Sequence, residues 1–315
     1  GRQSWGAGND IQLALSETSN SYDYGLIDLD FENLKVRYFH GYLESDTLFY
    51  NRYITARGLE WNNNTNFLLG LSEIVIYSGE NRPVDLAYFN PISTHLEIEL
   101  NDRQNNSGSD NGNGVWQCSF DYFNEKNLRI SGNYIIDEFV LDEEQKNEGK
   151  GHGNGYSLKF VYSNIFNAPF LSSIYCSIVS IGTNTFKHED GRNNFVQRNK
   201  PLGWENGSDS REAKIGVNFS SKLKKYFIEM EVGNLEIGED NILNSPYEGY
   251  DYYYGGAFPS GKTKVETFFK TSLQLWIKPY FSILSKIKMV KPPKEEPISQ
   301  FQIGFDLYLP IFTII

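Results

Sequence analysis

Few residues in this chain have the types and spacing for chemistry. Gly256-Ala257-Phe258-Pro259-Ser260-Gly261-Lys262-Thr263 fits the P-loop pattern, in which backbone N–H groups cradle phosphates and the lysine reaches the terminal ones. An acidic run, Ile135-Ile136-Asp137-Glu138, is of the kind that holds Mg²⁺ in such sites. The context argues against a nucleotide site. The loop follows Tyr247-Glu248-Gly249-Tyr250-Asp251-Tyr252-Tyr253-Tyr254-Gly255 rather than an apolar strand. The acidic run precedes the loop instead of following it, and only about fifty residues remain, too few for a doubly wound sheet. A glycine-rich surface loop that re-enters a strand at Thr263 is the simpler reading.

The other candidates are no stronger. His40, His95, His152 and His188 show no metal-ligand spacing, and His188-Glu189-Asp190 reads as a solvated loop. Asp110-Asn111-Gly112-Asn113-Gly114 resembles a calcium loop, but Gly112 stands where an acidic or amide ligand is needed. No Ser-His-Asp or Cys-His arrangement has a local signature. No catalytic residue, metal or cofactor is therefore assigned. Cys118 and Cys176 are too few for a disulfide framework, and both lie in apolar-aromatic stretches, as small buried or lipid-facing residues.

Binding is better represented than catalysis. Tyr247, Tyr250, Tyr252, Tyr253 and Tyr254 alternate with Glu248 and Asp251. Flat rings beside hydrogen-bonding groups suit sugars, whose C–H faces stack while their hydroxyls bond. Trp204, beside Asn199 and Asn206, could add to that surface. The polysaccharide-binding candidates are thus Trp204, Tyr247, Tyr250, Tyr252 and Tyr254; packing of loop on loop is the competing role for the same rings.

The elements that must carry these residues are strands. Period-two alternation dominates, with about fourteen candidates of membrane-spanning length: 10–16, 34–44, 52–61, 66–77, 93–101, 115–123, 128–138, 155–163, 173–182, 211–219, 225–233, 263–275, 279–289 and 299–312. In 155–163, Tyr156, Leu158, Phe160 and Tyr162 oppose Ser157, Lys159, Val161 and Ser163. In 299–312, Phe301, Ile303, Phe305, Leu307, Leu309 and Ile311 share one apolar face. Connections alternate in length from residue 101 onward, with 102–114, 139–154, 183–210 and 234–262 long and 124–127, 220–224 and 276–278 tight. Long loops at one end and tight turns at the other is outer-membrane barrel topology. Aromatics recur near strand ends, as interfacial girdles require.

The composition agrees. The chain has 315 residues, 39% hydrophobic, yet 15% aromatic, with mean hydropathy −0.47. A polar chain this rich in aromatics is folded, with much polar surface over a thin apolar layer. A net charge of −11 argues against a nucleic-acid partner, which needs a basic stripe. No apolar run is long enough for a transmembrane helix. The expected architecture is an all-β, transmembrane antiparallel β-barrel as a single domain over 1–315. Its inward charges would be Arg57, Glu73, Arg129, Asp137, Glu229 and Glu231, with Arg57 and Glu73 pairing across the lumen. Gly6 and Gly8 would form a close turn and Trp5 would sit at the interface.

Several short stretches together resemble a known family. Gly1-Arg2, Trp5-Gly6-Ala7-Gly8-Asn9, Leu13-Ala14-Leu15-Ser16, Arg52 to Trp61, Leu69-Gly70-Leu71-Ser72-Glu73, Ile76-Tyr77 and Tyr88-Phe89-Asn90-Pro91 follow in order. In order and spacing they are similar to the Wzi-type capsule assembly family over roughly residues 1–100. That resemblance implies an outer-membrane barrel of about eighteen strands with a small helical element on the periplasmic side. It implies a surface lectin holding capsular polysaccharide in a Gram-negative outer membrane, and a chain lacking its first strands and that helical element. Expected partners are membrane lipid and lipopolysaccharide, surface polysaccharide, and other outer-membrane proteins. An accessory subunit of a larger assembly, a diffusion channel, and an enzyme using Asp137 or Glu229 are the alternatives.

Overall fold

The computed structural model describes residues 1–6, 11–45, 49–104, 112–124, 126–138, 143, 147, 151–165, 170–221, 225–249, 256–293 and 296–308. The strands are β1 (Asp23–Phe31), β2 (Leu34–Ser45), β3 (Tyr50–Asn62), β4 (Phe67–Glu80), β5 (Asn113–Phe123), β6 (Leu128–Glu138), β7 (Gly153–Ser163), β8 (Phe170–Ile181), β9 (Val196–Gln197), β10 (Lys200–Pro201), β11 (Ser210–Ser221), β12 (Tyr226–Ile237), β13 (Lys264–Lys278), β14 (Phe281–Lys291) and β15 (Ile298–Leu307). A short helix, α1 (His95–Leu100), lies between β4 and β5. Thirteen strands form one antiparallel sheet in the order β1 to β8, then β11 to β15, and β9 and β10 make a separate ribbon. Within the sheet each strand pairs with its sequence neighbour, apart from the excursion between β8 and β11.

Register assigns every side chain to a face. Leu59 pairs with Leu71, Leu71 with Cys118, Cys118 with Tyr134 and Tyr134 with Tyr156. All five are exposed, as are Phe301, Ile303, Phe305 and Leu307 on the matching face of β15. Along these rows the face is an apolar band exposed among the described residues. On the opposite face, Phe39, Ile54, Ile74, Val115, Ile135, Val179, Leu235 and Phe268 share one buried core with Leu13, Leu15, Phe195, Leu202 and Trp204. Eight strands from β2 to β13 touch the same central segments, so the sheet must curl around them, with this face inside. Alternation along each strand therefore separates lumen from outer wall.

The connections 81–112, 139–152, 182–209 and 238–263 open at one end of the sheet, and 32–33, 63–66, 124–127, 222–225 and 279–280 at the other. That is the length alternation expected from sequence. Two strand assignments fail. Residues 10–16 make only an isolated bridge, Trp5 with Leu15, inside the barrel. Residues 93–101 alternate apolar and acidic, yet form α1, because Thr94 accepts from Glu97 N as N-cap and only Ile98 and His95 are buried. β1 was not among the expected strands, although Ile27, Leu29 and Phe31 alternate with Asp28 and Asp30 along it.

Trp5 is also placed differently. Its ring is buried in the inner core rather than at the membrane boundary, with the Arg37 guanidinium 5.4 Å from its centroid. The turn after it is at Gly6, φ +121°, where a Cβ would meet Gln117 Nε2 at 2.4 Å and Asn133 Oδ1 at 2.5 Å. Only glycine combines that backbone with so close an approach.

Candidate functional site

The interior at the long-loop end is filled by the chain itself, through three segments, whose described residues are 1–6 with 11–22, 182–209 and 238–249. Backbone bonds run from Ser16 N to Leu202 O and from Trp204 N to Leu13 O. Wall amides hold the first segment: Gln117 Nε2 donates to Trp5 O, and Asn133 Nδ2 to Ile11 O. Arg52, buried on β3, holds the second. Its Nε donates to Arg192 O, its Nη2 to Asn194 O and Val196 O, and its Nη1 pairs with Glu44 at 3.0 Å. A guanidinium suits this role because its planar fork serves several carbonyls at once. Lys187 in the same segment is depressed below the usual lysine range by burial.

Asp209, fully buried, joins the second and third segments. Its carboxylate accepts from Thr183 Oγ1 (2.8 Å), Asp240 N (3.1 Å), Ser260 N (2.8 Å) and Ser260 Oγ (2.6 Å). Ser260 is the serine of the P-loop-like stretch, so the small residues there approach a carboxylate of the chain. Neither Arg52 nor Asp209 stood out in the sequence, since most of their partners come from remote loops.

The aromatic candidates face inward. Trp204 is 8% exposed and part of the inner core, so its ring cannot stack on an outside sugar. Tyr247 is half-buried: its ring takes the Arg52 guanidinium at 5.2 Å, and its hydroxyl bonds to Glu44 and accepts from Asn199 N. Burial, followed by the bond to Glu44, raises its pKa. Tyr250, Tyr252 and Tyr254 lie outside the described residues.

What the loop end shows to solvent beside Tyr247 is the tip of the β9–β10 ribbon. Arg198 and Asn199 both have left-handed φ, 50° and 62°, the conformation of a two-residue hairpin turn. The turn throws Arg198, Asn199 and Lys200 outward, all exposed. Among the described residues neither cation has an acidic partner.

The charged candidates divide between the two faces. Arg129 pairs with Asp121 on the inner wall, and Asp137 accepts from Phe186 N, fastening the loop. Glu231 lies between Lys214 and Lys270, each at 3.2 Å, and accepts from Tyr175 at 2.9 Å; Glu229 accepts from the same hydroxyl at 3.2 Å. They line a cleft of about 540 Å³ with Lys286, Lys288, Gln300 and Gln302. Arg57 and Glu73 do pair, at 3.4 Å, but not in the lumen. Register puts them with Leu59 and Leu71 on the outer face, beneath α1. His95 covers them, its Nδ1 2.7 Å from Glu73 Oε1, while Arg57 Nη1 donates to Asn90 O. The parity rule misassigns this pair because a loop, and not the lumen, satisfies them.

Neither a family model nor a curated protein sequence matches the chain. In structure it is similar to Wzi, an outer membrane protein involved in group 1 capsule assembly in Escherichia coli and described as a carbohydrate-binding β-barrel, with TM-score 0.67 and 11% identity. The match covers 96% of this chain and spans 64% of Wzi. OccD3 from Pseudomonas aeruginosa (TM-score 0.46, 11% identity, 94% of this chain and 73% of that one) and BamA from Haemophilus ducreyi (0.43, 13%, 90% and 61%) are more distant. The fold is that of an outer-membrane β-barrel.

Proposed function

We propose that this chain is part of an outer-membrane barrel that holds a surface polysaccharide at its long-loop end, without catalysing a reaction. The observation that carries this reading is the exposed tip of the β9–β10 ribbon: two cations without an acidic partner among the described residues, Arg198 and Lys200, with Asn199 between them, over an interior filled by the chain. Such a tip offers charge and hydrogen bonds to the carboxylates and hydroxyls of an acidic glycan. The fold likeness to a carbohydrate-binding barrel involved in capsule assembly supports it, as do the ordered stretches resembling that family. The filled interior favours retention over diffusion.

The test is binding of purified surface polysaccharide to the detergent-solubilised barrel. Wild type is expected to bind with an affinity that falls with salt, and R198Q/K200Q to bind about tenfold more weakly. K286Q/K288Q, altered inside the lumen, is expected to bind as wild type. Absence of binding, with stoichiometric outer-membrane proteins co-purifying instead, would favour an accessory subunit.

A further inference from the structure

The outer wall differs from an ordinary barrel in one sector. On β2, β3 and β4, the outward row above Leu59 and Leu71 does not continue as apolar residues but as Tyr38, His40, Thr55, Arg57 and Glu73. A charged pair in that row cannot face acyl chains, and it does not. The segment 82–104 leaves the loop end and folds back over the outside of the wall. Tyr88 stacks on Tyr77 with centroids 4.4 Å apart and planes 12° from parallel, and Tyr38 donates to Tyr88 O. Tyr53, Val75, Tyr77, Tyr88 and Ile98 form a second core on this side.

The cover has an outside of its own, and that outside is apolar. Leu86 is 79% exposed, Ile92 87% and Leu100 83%, with Phe89 and Leu96 exposed as well. Its acids avoid this side. Asp85 is buried, capping the turn at 86–89 and pairing with Arg82, and Glu99 is turned inward to Gly112 N. Glu97 pairs with Arg103 at the segment's end. Large apolar residues pointing outward from a segment with its carboxylates withdrawn or paired is the pattern of a surface against lipid.

We propose that residues 84–100 are a lipid-embedded flange: Leu86, Phe89, Ile92, Leu96 and Leu100 extend the barrel's lipid-facing band across the sector where the strands carry Arg57 and Glu73. The occupant is the acyl region of the leaflet at the long-loop end. Continuity decides this, since the flange lies over the same face as Leu59, Leu71 and Cys118. The inference rests on the membrane reading of the barrel, and one experiment separates the two.

Single cysteines at Leu86, Ile92, Leu100 or Glu205, in a C118S/C176S background, are labelled with an environment-sensitive fluorophore. The barrel retaining only Cys118 is labelled in parallel. Each is reconstituted into phosphatidylcholine vesicles with or without doxyl-labelled acyl chains, and then exposed to aqueous iodide. Labels at 86, 92 and 100 are expected to lose emission to doxyl chains to an extent comparable with Cys118 and to resist iodide, while the label at 205 does the reverse. Iodide quenching without doxyl quenching at 86, 92 and 100 would overturn the flange. So would protection from both quenchers, which would put protein over the segment. Failure of doxyl chains to quench Cys118 would overturn the membrane reading itself.

Discussion

Asp209 shows how much can hang on one side chain in a barrel closed by its own loops. Four donors from three remote stretches converge on it, and truncation leaves the buried Ser260 N–H without its acceptor. Asp209→Ala is expected to cost about 2–5 kcal/mol, measured by urea unfolding of the reconstituted barrel, with Asp209→Asn losing less. Glu73 is equally buried but faces the other way. Glu73→Ala strands the Arg57 guanidinium beneath α1 and is expected to destabilise by about 3–5 kcal/mol; a lumenal, water-bathed role would give far less. At Gly6, an alanine would need a strained backbone and displacement of Gln117 and Asn133. About 1–3 kcal/mol is expected from the backbone alone. The sequence flagged Arg57 and Glu73 as partners because neighbouring strands bring them opposite. It could not say which face they occupy, since alternation fixes relative and not absolute orientation.

Among the elements, the 82–104 excursion is the least legible. Leu96, Ile98 and Leu100 alternate with Glu97 and Glu99, which reads as a strand, but no strand edge is open to it between β4 and β5, which pair with each other. It becomes a short helix on the outside instead. Its seating is expected to depend on Glu99, which accepts from Gly112 N at 2.8 Å. Glu99→Ala is expected to weaken hydrogen-exchange protection of Ile98 and Gly112, because the Gly112 amide loses that acceptor.

At the scale of the whole molecule, wall and plug are coupled. Arg52 on β3 and Asp137 on β6 hold the 182–209 segment, and Asp209 holds it to the next loop. Wild-type barrel is therefore expected to conduct poorly in planar bilayers. Arg52→Ala combined with Asp209→Ala is expected to raise conductance by unfastening the plug while β3 remains paired on both sides. Unchanged conductance in that variant would mean the packed core of Leu13, Phe195 and Trp204 holds the segments without these polar ties.

The sequence by itself determined the wall. Alternating wall strands, β2 to β8 and β11 to β15, the apolar row Phe301, Ile303, Phe305 and Leu307, and the uneven loops follow from a side-chain period of two under the demand that backbone groups be paired in lipid. The tertiary structure decided the interior and the covered sector. Trp204 and Tyr247 looked like a sugar platform because aromatic rings beside amides suit a ligand and a core alike. Only contacts between residues more than a hundred positions apart, such as Gln117 with Trp5 or Arg52 with Asn194, turn those rings inward. Local pattern carries no information about which distant loop will arrive, and so the tip at Arg198 and Lys200, the carboxylate of Asp209 and the outward face of residues 84–100 emerge only once the chain has closed on itself.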